Sequence, residues 1–255
     1  MTLFATQRSH VALVVAYDGT EFHGFASQPG QRTVAGSLLE ALEQSLHGDV
    51  AAFACAGRTD AGVHAWGQVV SFSTAASVDL DQLARAINRR LGPEIVVRDA
   101  RTVATDFDAR RCALARTYRY TVVNRPAPDP FLARYAWWVP EEIELSRLRL
   151  GADPFMGEHD FAAFCRKGPE GSSTVRRVLR SHWDVIDDGV LRYEIRASAF
   201  CWQMVRSIVG TLVDIGQGRH TPGEVMAILR SRDRSRASRL APPQGLVLWQ
   251  VDYSE

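Results

Sequence analysis

The sequence predicts an α+β fold built from two similar halves with antiparallel hairpins. Three observations lead to this prediction. Short apolar runs stop at Gly, Pro and Asp turn signals, longer stretches repeat apolar residues at helical spacing, and both kinds of segment occur in each half of the chain. The 255 residues, of which 46% are hydrophobic and 23% charged, are enough to bury a sizeable core.

The first half opens with "HVALVVAYDGT", an apolar run that predicts a buried strand ending at the turn signal Asp18–Gly19. A helical pattern then begins at Thr33, a residue type that suits the N-cap position. The predicted elements of this half are strand 10–17, helix 33–47, a strand near 51–56, a strand beginning at "WGQVVSFS", helix 79–92 with Gly92 as its C-cap, and strands near 95–103 and 116–124.

The second half continues in the same way. Its predicted elements are helix 145–156, strands 175–187 and 190–199, a helix over "CWQMVRSIVGTLVDIG", a helix opened by Thr221–Pro222, and the last strand "GLVLWQVDY". The Pro-rich stretch "NRPAPDPF" (124–131) is the predicted boundary. We therefore expect an N-terminal half, 1–125, and a C-terminal half, 126–255.

Several classes of protein are disfavoured by the composition. No apolar run is long enough for a membrane span and no secretory signal is seen, so a cytoplasmic protein is expected. The four cysteines are scattered, which favours free buried thiols over zinc or disulfides. The stretch "GEHDF" (157–161) predicts a turn rather than a metal site, since one His and one Asp lack further ligands. Neither a P-loop nor a dinucleotide fingerprint occurs.

The net charge of +1 does not by itself indicate nucleic acid, but the arginines are clustered. One acid-free window holds Arg110, Arg111, Arg116, Arg119 and Arg125; a second cluster holds Arg230, Arg232, Arg234, Arg236 and Arg239. Each cluster is either a solvated face or a surface for phosphates, which the planar guanidinium suits.

The stretch "ACAGRTDAGVHAWGQVVSF" (54–72) places Asp60 in a glycine-bracketed loop directly before an apolar run. Gly57 and Gly62 are expected to allow positive φ around it, and Arg58 precedes it by two residues. Two interpretations stay open. Either Asp60 closes a hairpin as a structural Asx-turn, or it is a carboxylate that a neighbouring positive charge keeps ionised for work as a nucleophile or base.

Two further residues are candidates for a site. Tyr118 and Tyr120 share one face of the predicted strand 116–124, where they are either a core aromatic pair or a place for Tyr118 to stack on a nucleobase. Arg206 interrupts an apolar helical stretch. It either extends along its aliphatic stem to solvent or needs a carboxylate partner, for which Asp60 is the candidate.

The segment "AGRTDAGVHAWGQVVSF" resembles the signature of the tRNA pseudouridine synthase A family. Blocks similar to those of this family follow in its order along nearly the whole chain, among them "VAYDGTEFHGFASQ", "FDARRCALARTYRYTVVN", "FCWQMVRSIVGTLVDIG" and "APPQGLVLWQVDY". The GRTDAGVH segment is highly specific, whereas the other blocks would be weak alone.

The resemblance implies two ferredoxin-like halves whose antiparallel sheets join into one, with helices on one side and a central RNA-binding cleft. It implies an isomerase that converts uridines at positions 38, 39 and 40 of the tRNA anticodon stem-loop to pseudouridine, acts as a homodimer, and uses no cofactor and no metal. By the same resemblance, Asp60 matches the catalytic aspartate, Tyr118 the tyrosine that packs on the target base, and Arg58 and Arg206 the arginines of the active site.

Two other functions stay open at this point. One is a noncatalytic protein that binds or folds tRNA on the same fold, against which the intact Arg58 and Asp60 count. The other is a hydrolase acting on glycosides, a class that normally needs two facing carboxylates where this loop offers one.

Overall fold

The computed structural model describes residues 8–168 and 171–254, which form ten strands and five α-helices in two compact units. Unit 1 comprises the described residues up to Leu114 and from Leu248 onward, and unit 2 comprises those from Ala115 to Val247. The Pro-rich stretch 124–131, predicted as a boundary, lies inside unit 2.

Unit 1 carries seven elements. They are β1 (Ser9–Tyr17), α1 (Val34–Ser45), β2 (Ala51–Cys55), β3 (His64–Thr74), α2 (Leu80–Leu91), β4 (Ile95–Thr102) and, at the end of the chain, β10 (Leu246–Asp252), whose first two residues belong to unit 2. The strand order is β4-β1-β3-β10, and β2 also pairs with β3. The pairs of β1 with β3 and β4, and of β2 with β3, are antiparallel. The succession β1-α1-β2-β3-α2-β4 is the predicted ferredoxin-like one.

Both helices of unit 1 begin where the sequence predicts. The Thr33 side chain accepts a hydrogen bond from the Gly36 N–H, and the Asp79 side chain accepts one from the Gln82 N–H, so each satisfies an otherwise unpaired donor of the first turn. Gly92 is the C-cap of α2, as predicted, with its N–H donating to the carbonyl of Asn88.

Unit 2 carries the remaining elements. They are β5 (Ala115–Val123), β6 (Trp137–Trp138), α3 (Leu145–Ala152), β7 (Gly157–Asp160), β8 (Val175–Asp187), β9 (Val190–Ala197), α4 (Met204–Gly216) and α5 (Glu224–Ser231). The strand order is β5-β9-β8-β7 with antiparallel pairs, and the two-residue β6 pairs with β5 in parallel. The predicted α+β class with largely antiparallel sheets is confirmed.

Three predictions for unit 2 were wrong in detail. The helix predicted over 145–156 ends as α3 at Ala152, because Pro154 lacks an N–H donor and the chain continues as a 3₁₀ turn over Asp153–Phe155. The helix predicted to open at Thr221–Pro222 begins as α5 at Glu224, because i→i+3 bonds close the turn before it.

The third correction concerns the stretch "GEHDF", which is a strand rather than a turn. Its first four residues form β7, an edge strand that pairs with β8. Glu158 lies opposite Arg177, an arrangement of opposite charges that stabilises neighbouring strands. Four residues are too few for a clear alternating pattern, so the sequence carried little signal for this strand.

Candidate active site

The loop that carries Asp60 leaves the sheet of unit 1 at a fixed point. β2 ends at Cys55, and the N–H of the next residue, Ala56, donates to the carbonyl of Val69 over 2.8 Å. Beyond it, the fully buried Gln68 replaces a strand partner: its Oε1 accepts from the Gly57 N–H at 3.3 Å and its Nε2 donates to the Gly57 carbonyl at 2.5 Å. The side chain of Gln68 therefore fixes the backbone position from which the loop continues to Arg58.

Thr59 anchors the middle of the loop. It is 9% exposed, its Oγ1 lies 2.8 Å from the Tyr17 hydroxyl, and its carbonyl accepts from the Phe25 N–H at 3.1 Å. Arg58 is exposed and Asp60 is partly exposed. The loop is thus held by its central residue, while the two residues that carry charge flank it nearer to solvent.

The turn that follows Asp60 packs against the loop after β1. The Val63 N–H donates to the Asp60 carbonyl at 3.2 Å, and the Gly19 N–H donates to Nδ1 of the buried His64 at 2.9 Å. A Cβ on Gly19 would overlap the carbonyl oxygen of Val63, so only glycine allows this approach. The Asp18–Gly19 turn therefore ends β1 and also packs against the loop that carries Asp60.

The predicted role of the two bracketing glycines is half right. Gly62 has a φ of +75°, as expected. Gly57 was expected to have positive φ and does not, because it continues the strand geometry through its two hydrogen bonds with Gln68.

The bond between Tyr17 and Thr59 gives a first testable prediction. We expect Tyr17→Phe to lower the free energy of unfolding by about 1–2 kcal/mol, since it leaves a buried hydroxyl without its partner. Thr59→Val should cost a similar amount, and the double variant less than the sum of the two. Urea unfolding of all four proteins measures the coupling.

Thr59→Ser, which keeps the hydroxyl, is the matched control and should retain the coupling with Tyr17. Strictly additive effects of Tyr17→Phe and Thr59→Val would contradict the anchoring role of this bond.

Tyr118 and Tyr120 lie on β5 in unit 2 but differ in their surroundings. Tyr120 is fully buried, and its hydroxyl donates to the carbonyl of Pro242 at 2.8 Å. Burial raises the pKa of its phenol well above the usual value. Tyr118 is 8% exposed, and its ring meets Phe200 edge to face with centroids 4.9 Å apart. Tyr120 is therefore a core residue, and the ring of Tyr118 packs against Phe200.

Arg206 lies in the first turn of α4 in unit 2. Its Nε donates to the carbonyl of Ala241 at 2.8 Å, and its own carbonyl accepts from the Ala241 N–H at 3.1 Å. The residue is partly exposed. Arg206 thus ties α4 to the segment before β10, and its pairing with Asp60 stays a prediction.

Part of the first arginine cluster is used inside unit 2. Arg116 is 8% exposed, and its Nη1 donates to the carbonyl of Ser198 at 3.0 Å. Arg119 pairs with Glu194 at 2.8 Å, and Arg125 donates from Nε to a backbone carbonyl at 2.7 Å. These three side chains therefore do not form one open basic surface. Exposed members of the two clusters are Arg110, Arg111, Arg230, Arg232, Arg236 and Arg239.

Cys55, which lies nearest in sequence to the candidate loop, shows no sign of catalytic activation. All four cysteines are free, as predicted, although only Cys165 is buried and the others are partly exposed. Cys55 stands at the end of β2, close to the candidate loop, and burial raises the pKa of its thiol to about 11. It is therefore a neutral thiol at pH 7, and a nucleophile in this region must be sought elsewhere.

Within residues 8–168 and 171–254, His, Cys, Asp and Glu side chains form no group of three that could hold a metal ion. None of the helices in the same ranges is long and apolar enough to cross a membrane.

Sequence reasoning found the loop but missed what holds it. Gln68 reads in sequence as one polar residue in a strand, and Tyr17 as the end of an apolar run. Their roles depend on partners 11 and 42 residues away, which no local pattern shows.

An aspartate on a rigidly held hairpin loop, in an α+β fold of antiparallel sheets, is the arrangement that the resemblance to pseudouridine synthases implies. The sequence model of the family described as tRNA pseudouridine synthase matches residues 13–110 and 152–254. The chain belongs to this family.

Relatives match over nearly their whole length. The tRNA pseudouridine synthase A of Geobacillus kaustophilus is 39% identical over 98% of this chain and 96% of its own. The protein of the same name from Brevibacillus brevis is 40% identical, and that from Pseudothermotoga lettingae 39%, each over 94% of this chain and 98% of its own.

Proposed function

We propose that this protein is an isomerase that converts uridine to pseudouridine in tRNA, and that its targets are positions 38, 39 and 40 of the anticodon stem-loop. Membership of the tRNA pseudouridine synthase family supports the reaction and the class of substrate. The observation that carries the proposal for the site is the loop 57–63, which holds Arg58 and Asp60 on either side of the anchored Thr59.

The reaction demands little besides a positioned carboxylate. The N1–C1′ bond of uridine breaks, the uracil turns, and a C5–C1′ bond forms; C5 loses a proton and N1 gains one. Nothing is oxidised and no group leaves the product. We propose Asp60 as the group that starts this sequence, either by attack at C1′, by attack at C6 of the ring, or by removal of a proton.

The target base must leave its helix to reach such a carboxylate. Extrusion costs a few kcal/mol in lost stacking, and packing on an aromatic ring recovers part of it. Tyr118 is proposed for this packing; the edge-to-face contact with Phe200 holds its ring and supports that role. Arg58 is proposed to fill the vacated space or to hold a backbone phosphate, and its exposure supports either function.

Arg206 is proposed as a second arginine of the active site. Its Nε is committed to Ala241, and this bond fixes the direction of the guanidinium and supports the role. We further propose that the protein works without a cofactor, as a homodimer, and in the cytoplasm.

Mapping of pseudouridine in tRNA exposed to the purified protein tests the proposal. We expect pseudouridine at one or more of positions 38–40 in tRNAs that carry uridine there, and none in matched tRNAs that carry cytidine at the same three positions. Chemical labelling followed by mass-shift sequencing gives the positions.

Two results would contradict the proposed function. Tight tRNA binding without any pseudouridine would favour the noncatalytic alternative. Release of free uracil would favour a glycoside hydrolase, for which Asp60 lacks an evident second carboxylate in its motif.

A further inference from the structure

Unit 1 presents a stack of two indoles and one guanidinium, in which Trp66 and Arg98 are exposed and Trp249 is partly exposed. Trp66 of β3 is 45% exposed, and its ring stacks on that of Trp249 of β10 with centroids 5.9 Å apart and an angle of 17° between the planes. The Cζ of Arg98, on β4, lies 3.8 Å from the ring centroid of Trp66. Its Nη1 also donates to the Trp66 carbonyl at 2.9 Å. We call these three residues the Trp66 stack.

The backbone is built to bring these side chains together. A Cβ on Gly67 would overlap the carbonyl oxygen of Trp249, so only glycine at this position lets β10 lie close enough for the indoles to stack. On β4, Ile95 and Val97 are buried whereas Arg98 is exposed. Arg98 stands at a bulge of β4, since Val14 and Val15 of β1 pair with Asp99 and Val97, and its side chain is open to solvent.

Arg98 has no negatively charged partner in the part of the chain that the structure describes. The ion pairs of the described residues use other arginines. The guanidinium of Arg98 contacts the ring of Trp66 and the carbonyl of Trp66. A guanidinium has five donors, so most of those on Arg98 are open to a ligand. A fixed, unneutralised arginine on an aromatic platform is suited to an anionic ligand that also has flat rings.

We propose that the Trp66 stack is a contact surface for the tRNA, where Arg98 binds a backbone phosphate and an unpaired nucleotide packs on the indoles. The inference rests on the proposed function, which supplies the RNA. Aromatic rings combined with arginine are the usual means of binding unpaired nucleotides. The position is also continuous with the candidate site, since Trp66 follows the anchored loop and the buried His64 directly in sequence.

A second copy of the chain fits this surface less well. A subunit interface would bury the guanidinium of Arg98 without a carboxylate to neutralise it, and an unpaired buried charge is costly. A nucleic acid brings its own phosphate and removes that cost.

Binding of unmodified tRNA to the full-length protein tests the inference. Trp66→Ala is expected to raise Kd roughly tenfold, the loss typical of one stacked base. Trp66→Phe, which keeps a ring, should raise it by about threefold or less. Arg98→Gln should lower the slope of log Kd against log salt by about one, the change expected for one lost phosphate contact. Trp138→Ala, at an indole of similar exposure in unit 2, is the control and should leave Kd unchanged.

The outcomes separate this inference from the proposed function. If the unaltered protein forms no pseudouridine, the proposed function fails. If it does, and folded Trp66→Ala and Arg98→Gln both bind tRNA with unchanged Kd and salt slope, the inference is overturned. It is also overturned if Trp66→Ala changes the molar mass in light scattering, because the stack would then be a subunit interface.

Discussion

Asp60→Asn is expected to lower the rate of pseudouridine formation by about 10³-fold or more, the scale of loss seen when the group that performs the chemistry is removed. The asparagine side chain has nearly the same size and shape as the aspartate, so the loop should keep its anchors at Thr59 and Gly57. It lacks the negative charge that attack at C1′, attack at C6 or proton removal each require. Single-turnover release of tritium from tRNA labelled at C5 of uridine measures the rate.

The binding of tRNA provides the control within the same variant. We expect Kd to change by about twofold or less, because phosphate contacts supply most of the affinity for nucleic acid. Asp106→Asn, at an exposed carboxylate of the same unit, should keep the rate of the unaltered protein. Substantial turnover by folded Asp60→Asn would leave Asp60 as a residue of the turn, the structural interpretation of this loop.

Local sequence patterns predicted those parts of the fold that local physics determines. The apolar run of β1 and the capping side chain of Thr33 act within a few residues, and both predictions agree with the structure. The end of α3 and the start of α5 were placed wrongly by a few residues, since Pro154 and the 3₁₀ turn before Glu224 decide them rather than apolar spacing. β7 was missed because a short edge strand depends on its partner for its structure.

In the candidate site, too, local sequence predicted some features, and partners distant in sequence determine the others. The glycines and charges around Asp60 identified the loop from sequence, and the family resemblance supplied the proposed roles. The anchors of the loop could not be predicted, because Tyr17, Phe25 and Gln68 reach it from other strands and turns. Charge clustering was only a partial guide to the exposed arginines. Arg116 and Arg119 belong to a basic window yet make structural contacts, whereas Arg98, outside both clusters, is exposed.

The position of Arg206 in unit 2 depends on a close approach between helix α4 and the segment 239–241. Gly210 lies one turn after Arg206 on α4, and a Cβ at this position would overlap the carbonyl oxygen of Arg239 and lie 3.3 Å from the N of Ala241. The same segment holds both backbone and side chain of Arg206 through Ala241. The absence of a side chain at residue 210 therefore lets the segment 239–241 pack on α4 and orient the guanidinium.

Gly210→Ala is expected to lower the free energy of unfolding by about 3 kcal/mol, through overpacking and the loss of a hydrogen bond with Ala241. For a chain of this size the midpoint of thermal unfolding should fall by about 6–12 °C, which differential scanning calorimetry measures. Gly210 is helical without positive φ, so helix propensity alone would make alanine more stable by about 1 kcal/mol, and only the overlap can reverse the sign of this effect.

Gly223→Ala is the matched control in the same unit. It also has helical backbone angles but no atom within 4 Å of the new Cβ, so its stability should stay within about 1 kcal/mol of the unaltered protein. Equal stability of the two variants would mean that the segment 239–241 yields without cost, and that its contacts do not fix Arg206.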